Sequence, residues 1–316
     1  MRWPPEWRSE AVPAVGTIAP VGTSAFGRQT TVEAVPGAAG RYRAEMSDGW
    51  NAPVLPHGGV VTSLALRAMG TELAHPEQVL RSVTTVFAAQ VVPGPLEIDV
   101  AVLRRGRTMS QLTATVRNAG QDAGHTAMAV FGGPRQGFEF TDLARPDVPP
   151  PSACPSFRDP PPDGVVRFPS ATFWEKVESR VGIGNPPWGD WEAVSSERAY
   201  WYRFDEPPVG DDGAWDPLAL VTLCDTMPGA VGERMGPGSP IWFGPSADLT
   251  VHVLGTARSE WLLAHNRARH AADGYASVDM ELWDPGAGLV AYGTQMMFFS
   301  FPEGIPPGTR LTPPDP

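Results

Sequence analysis

Three polar residues in the second half of the 316-residue chain stand in otherwise apolar surroundings: Asp225 in ALVTLCDTMPGAV, Ser246 opening SADLTVHVL, and Gln295 in LVAYGTQMMFF. Burying a carboxylate or an amide without a hydrogen-bond partner is costly, so such residues pair with one another or with a water. A helix, a strand start and a final strand can bring the three to one spot.

Other chemistries find less support. A serine nucleophile sits on a Gly-x-Ser-x-Gly elbow with a histidine base. Gly22-Thr23-Ser24-Ala25-Phe26-Gly27 lacks that spacing, and Gly244-Pro245-Ser246-Ala247-Asp248 puts proline before the serine and no glycine two residues after it. Cys224 would need a histidine base that the sequence does not show. With only two cysteines and six histidines, and no HxxxH spacing, no disulfide framework, metal or cofactor is expected. His252 and His265 read as strand residues with satisfied nitrogens. Arg104, Arg105 and Arg107 could meet phosphates, but a solvated hairpin turn is the simpler reading. Gly58 and Gly59, in Pro56-His57-Gly58-Gly59, could admit substrate close to the backbone or make a tight turn for packing; both readings stay open.

The elements that must position these residues are legible in outline. Hydrophobic residues at 42% and charged residues at 19% mark a globular chain long enough for two domains. A net charge of -11 disfavours a nucleic-acid or anionic-membrane surface. Apolar runs such as Val60 to Met69 fall short of a membrane span, and no apolar stretch of signal-peptide type follows Met1, so a cytoplasmic protein is expected. Eight prolines between Pro146 and Pro162 oppose regular structure there. The expected organisation is an extension over 1–25, a unit over 26–140, a proline-rich linker over 141–165, a second unit over 166–302 and a proline-rich tail over 303–316.

Each unit reads as one apolar helix followed by a meander of strands, an α+β pattern. In the first, a hairpin TTVEAV/RYRAEM turns at Pro36-Gly37; a helix follows His57, and then come TTVFAAQV, LEIDVAVLRR, MSQLTATVRN and GHTAMAVFG. In the second, AYWYRF precedes a helix that starts at Asp216-Pro217, a capping carboxylate with proline at the first helical position. DLTVHVL, EWLLAHNRAR, GYASVDMELWD and LVAYGTQMMFF follow in the same order. Aligning the copies puts LTVHV on TTVFA, Arg67 opposite Asp225 and Ala127 opposite Gln295, so only the second unit carries all three polar residues.

The run GPSADLTVHVL…EWLLAHNRA…GYASVDMELWDPGAGLVAYGTQ resembles the C-terminal half of acyl-CoA thioesterase II and related double-hotdog thioesterases. Pro56-His57-Gly58-Gly59 before a helix and Leu103-Arg104-Arg105-Gly106-Arg107-Thr108 at a turn resemble that family's first hotdog, and the likeness spans residues 26 to 302. The resemblance implies a double hotdog, and a hydrolase that cleaves an acyl-CoA or similar acyl thioester without a covalent intermediate. It also implies a homo-oligomer. In that family an Asp, a Thr or Ser and a Gln hold the hydrolytic water, and the matching positions are Asp225, Ser246 and Gln295. Serine in place of the usual threonine keeps the hydroxyl. An ionised Asp225 would take the water's proton while the other two fix its lone pair. Two other readings are a non-catalytic protein binding acyl-CoA or another hydrophobic ligand and, more weakly, a hydratase, which would want a histidine beside the aspartate on the site helix.

Overall fold

The structure, a computed structural model, describes residues 23–159, 171–186, 189–237, 239–240 and 242–301. The N-terminal extension, the C-terminal tail and the end of the linker therefore lie largely outside the described residues. In the first unit the elements are α1 (Ala25–Gln29), β1 (Glu33–Ala34), β2 (Arg41–Met46), the short pair β3 (Asn51–Ala52) and β4 (Leu55–Pro56), α2 (Gly58–Leu73), β5 (Val79–Phe87), β6 (Gly94–Arg105), β7 (Met109–Asn118) and β8 (His125–Gly132). The second holds β9 (Val177–Ile183), β10 (Glu197–Phe204), α3 (Pro217–Cys224), α4 (Gly229–Met235), β11 (Asp248–Val253), β12 (Leu262–Ala272), β13 (Tyr275–Asp284) and β14 (Gly288–Phe298).

Twelve of the described strands form one sheet in the order β1-β2-β6-β7-β8-β5-β11-β14-β13-β12-β10-β9. The order is the same helix-wrapped meander twice: β2, β6, β7, β8 and β5 in one copy answer to β10, β12, β13, β14 and β11 in the other. The copies join edge to edge through antiparallel β5 and β11, with Val83 opposite Val251 and Thr84 opposite Thr250. Pairing between copies removes the edge each would otherwise expose. The helix-and-strand order read from the sequence is present, and β9, α1 and α4 add to it.

The core lies between the helices and the sheet. From Gly59 to Met69 every residue of α2 is buried, because the helix packs on β6, β7 and β8 on one side and on α3 on the other. Where the helices meet, a Cβ on Gly59 would fall 2.7 Å from the Thr222 Cα, so glycine there permits the backbones to approach. Arg67, on the same helix, pairs with Asp216 at the N-cap of α3 and donates to the Thr30 hydroxyl at 3.0 Å.

The proline-rich segment does more than connect. Its described residues hold one short 3-10 turn, Pro151–Ala153, and pack on the second unit, where Cys154 meets Trp201, Leu263 and Trp283. The Trp201 indole N–H donates to the Pro149 carbonyl at 3.0 Å. Both cysteines are free and buried. One of the turn arginines acquires a role: Arg105 donates to the Leu73 and Glu72 carbonyls, satisfying the C-terminus of α2. His265 is held between Glu281 and Glu197, at 3.1 and 2.5 Å, as a satisfied strand histidine. No helix among the described residues is long and apolar enough to cross a membrane.

Candidate active site

Asp225 sits one residue past the end of α3 as its C-cap, its own N–H turned back to the Thr222 and Leu223 carbonyls. The apolar run Leu218 to Cys224 buries the helix, and the carboxylate is carried in with it, its side chain only 5% exposed. Ser246 stands just before β11, bridged to Met297 of β14. Gln295 lies on the inward-facing parity of β14, with Gly293 and Met297 to either side, and is 2% exposed.

These three residues, 70 positions apart at the extremes, converge. The Gln295 side-chain amide donates to Asp225 Oδ1 at 2.6 Å and to the Ser246 hydroxyl at 2.5 Å, and that hydroxyl donates to the same Oδ1 at 3.3 Å. Because a carboxylate only accepts, the network fixes Nε2 toward Asp225. Gln295 Oε1 is left buried without a partner.

The other carboxylate oxygen faces the first unit. Gly59 N–H donates to Asp225 Oδ2 at 2.7 Å across 166 residues of sequence. His57, the N-cap of α2, lies alongside with its Nδ1 3.5 Å from Oδ2. Its ring stacks on Phe173, centroids 4.1 Å apart and planes at 15°. Gly58 contributes by its lack of a side chain: a Cβ there would sit 2.7 Å from the Phe87 ring and 2.8 Å from Oδ2. The sequence reading placed all three polar residues in the second unit, yet the α2 N-terminus supplies half of the groups around the carboxylate. The Pro-His-Gly-Gly motif was the available signal, but nothing local ties it to Asp225.

Burial pushes the Asp225 carboxyl above the usual range, while His57, Gly59, Gln295 and Ser246 act in the opposite sense by favouring the ionised form. Burial likewise holds His57 below the ordinary imidazole value, against the pull of Asp225. The arrangement is a buried carboxylate of raised basicity held by three donors, suited to taking up a proton.

Comparison with known proteins agrees with this fold. Sequence models of the acyl-CoA thioesterase N-terminal and C-terminal domains match residues 46–132 and 151–299. Among curated protein sequences nothing matches the chain. A hot dog fold protein of unknown function from Alicyclobacillus acidocaldarius is 25% identical, with TM-score 0.71, over 89% of this chain and 99% of that one. An acyl-CoA thioesterase II from Mycobacterium marinum is 20% identical, with TM-score 0.69 over 89% of this chain and 100% of its own, a likeness of fold. With both domain models in order along one continuous sheet, the chain belongs to the acyl-CoA thioesterase family and is a double-hotdog thioester hydrolase.

Proposed function

We propose that this hydrolase cleaves acyl-CoA by direct attack of a water that Asp225 deprotonates, with Ser246 and Gln295 holding that water. The observation that carries the reading is the convergence of Gln295 and Ser246, from separate elements, on one Asp225 carboxylate oxygen within 3.3 Å, with the two also bonded to each other. Gln295 and Ser246 meet Oδ1 and Gly59 meets Oδ2, and the unpartnered Gln295 Oε1 can accept a hydrogen of the water.

In the step itself the water oxygen bonds to the thioester carbonyl carbon as its proton passes to Asp225. Collapse of the tetrahedral intermediate then breaks the carbon–sulfur bond, and the proton goes from Asp225 to the leaving thiolate. Acid and free thiol are released and Asp225 is regenerated. An acyl-enzyme is not required, and Cys224 is a poor nucleophile: it is fully buried, and burial with the adjacent Asp225 pushes its thiol up. We assign the acyl chain to the apolar layer between helices and sheet, where the buried thioethers of Met227 and Met297 would shift to admit it.

Free-thiol release from a panel of acyl-CoAs tests the reading. Turnover that Asp225→Asn abolishes supports it; equal turnover in the variant would sink it.

One observation favours a second reading. Hydration of a 2-enoyl thioester wants a histidine beside the aspartate, and although the site helix has none, His57 of the first unit lies 3.5 Å from Asp225. Loss of enoyl-thioester absorbance without thiol release would favour it over hydrolysis.

Assembly into a homo-oligomer is proposed through the sheet's outer face, where Val86, Met128, Met296 and Phe298 stand 39 to 55% exposed. Light scattering that finds a strict monomer overturns this.

A further inference from the structure

We propose that His57 is a positioning residue for Asp225, so that the first unit sets the orientation and ionisation of the base that the second unit carries. The inference rests on the reading of Asp225 as general base and goes beyond it.

Four observations support the assignment. His57 is 4% exposed, and its Nδ1 is buried with no hydrogen-bond partner while lying 3.5 Å from Asp225 Oδ2. A buried ring nitrogen is otherwise expected to be satisfied. The position is an N-cap, where Ser, Thr, Asp or Asn would bond the first free amides, yet the imidazole makes no capping bond. Its side chain faces the carboxylate instead of its own helix.

The ring is also held from behind. Phe173, fully buried and belonging to the second unit, stacks against it. The neighbouring Thr172 hydroxyl accepts from Asn51 N–H at 2.9 Å and donates to the Asp48 carbonyl at 2.6 Å, tying that segment to the first unit. Finally, the same carboxylate oxygen accepts Gly59 N–H from the same helix start. The tautomer that carries its proton on Nδ1 aims a second N–H at Oδ2, favouring the ionised carboxylate and restraining its rotation.

The surroundings of Asp225 leave few rivals for this part. Ionisable groups beside it are His57 from α2 and the adjoining Cys224 on α3, while the β11 and β14 sides present Ser246 and Gln295, which do not titrate in this range. Arg198 of β10 reaches the neighbouring residue, donating to the Thr226 carbonyl at 2.6 Å.

The test compares His57→Phe, which keeps a ring for Phe173, and His57→Gln, which keeps a polar group, with Asp225→Asn and the His57→Phe/Asp225→Asn double variant, using an acyl-CoA that the wild type turns over. The expected result for His57→Phe is a kcat about 10- to 100-fold lower with KM within about twofold, and an acid limb of the kcat profile moved to higher pH. His57→Gln recovers part of kcat, and the double variant is no slower than Asp225→Asn alone. An inactive Asp225→Asn alongside His57→Phe or His57→Gln with wild-type kcat and acid limb overturns the His57 assignment alone. An Asp225→Asn variant of full activity overturns the general-base reading and this inference with it. Should His57→Phe fail to fold, the kcat and acid limb of His57→Gln decide.

Discussion

Arg67 of α2 pairs with Asp216, the N-cap of α3, and the same relationship recurs with its charges changed where His57, the N-cap of α2, faces Asp225 at the end of α3. The two helices thus meet through two N-cap contacts, one at each unit's helix start. One is an ion pair with side chains 6% and 0% exposed, and the other surrounds the proposed base. Because both units lie on one chain, the two contacts need not be alike: one holds the helices together and the other lies beside the proposed base. Removing one partner of a buried pair strands the other's charge. Arg67→Met is expected to cost about 3–5 kcal/mol, read as a lower urea midpoint, and Arg67→Met/Asp216→Asn to recover part of that loss. An unchanged midpoint in the single variant would remove the ion pair from the account of stability.

Asp225→Asn is expected to lower kcat by about 100- to 10,000-fold with KM little changed, since the amide keeps its place in the network but takes no proton. Gln295 can turn its unpartnered Oε1 toward the new amide group, so the variant should fold. Steady-state kinetics on one active acyl-CoA checks this.

The raised Asp225 pKa has opposite consequences for rate and stability. Only the ionised carboxylate accepts a proton, so kcat rises with pH through that raised value and then levels. The folded state holds the proton more tightly than the unfolded chain does. Its contribution to stability is therefore full below the unfolded carboxylate pKa and is lost as pH rises through the folded one. Asp225→Asn cannot ionise, and its midpoint should exceed the wild type's by on the order of 1 kcal/mol at neutral pH. Thermal melts across the acid range should show that advantage shrinking; a constant or growing gap would contradict the shift.

Gly59→Ala should separate the helices. The added Cβ would meet the Thr222 Cα at 2.7 Å and the Asp225 Cβ at 3.1 Å, and backbone cannot yield as a flexible side chain can. A loss of about 1–3 kcal/mol is expected, with reduced kcat because the amide that holds Oδ2 moves with the helix. Gly232 in α4, with nothing within 4 Å of its added Cβ, supplies the control: alanine there should gain up to about 1 kcal/mol.

Ser246→Thr keeps the hydroxyl and should retain kcat within about threefold, whereas Ser246→Ala and Gln295→Ala should each lose about 10- to 100-fold. Thiol-release assays at saturating substrate distinguish the three; an active Gln295→Ala would remove the amide from the water-holding set.

The repeat was legible because period-2 and helical patterns are local: β7 runs from Met109 to Asn118, the bounds read from MSQLTATVRN. Register was less so. The alignment of LTVHV on TTVFA puts buried Leu249 on Thr84, an exposed residue whose hydroxyl meets that of Thr250 at 3.0 Å; the residues that share the buried face are its neighbours Val83 and Thr85. A slip of one residue exchanges the two faces of a strand, and short apolar runs do not fix it. β9 was missed as a separate strand because VESRVGI carries charge inside, at Glu178, where Arg180 and Arg203 neutralise it.

By itself the sequence determined the two-copy helix-and-meander order and picked out Asp225, Ser246 and Gln295, since polar residues in apolar runs must be buried with partners. The tertiary structure alone decided which partners these were. His57 and Gly59 stand more than 160 residues from Asp225, and no local pattern of hydrophobicity or turn chemistry specifies contact over that separation. The contact arises when β5 and β11 close the two sheets into one and α2 and α3 pack against each other at Gly59. The site therefore belongs to the seam between the units, a place that neither half of the sequence describes.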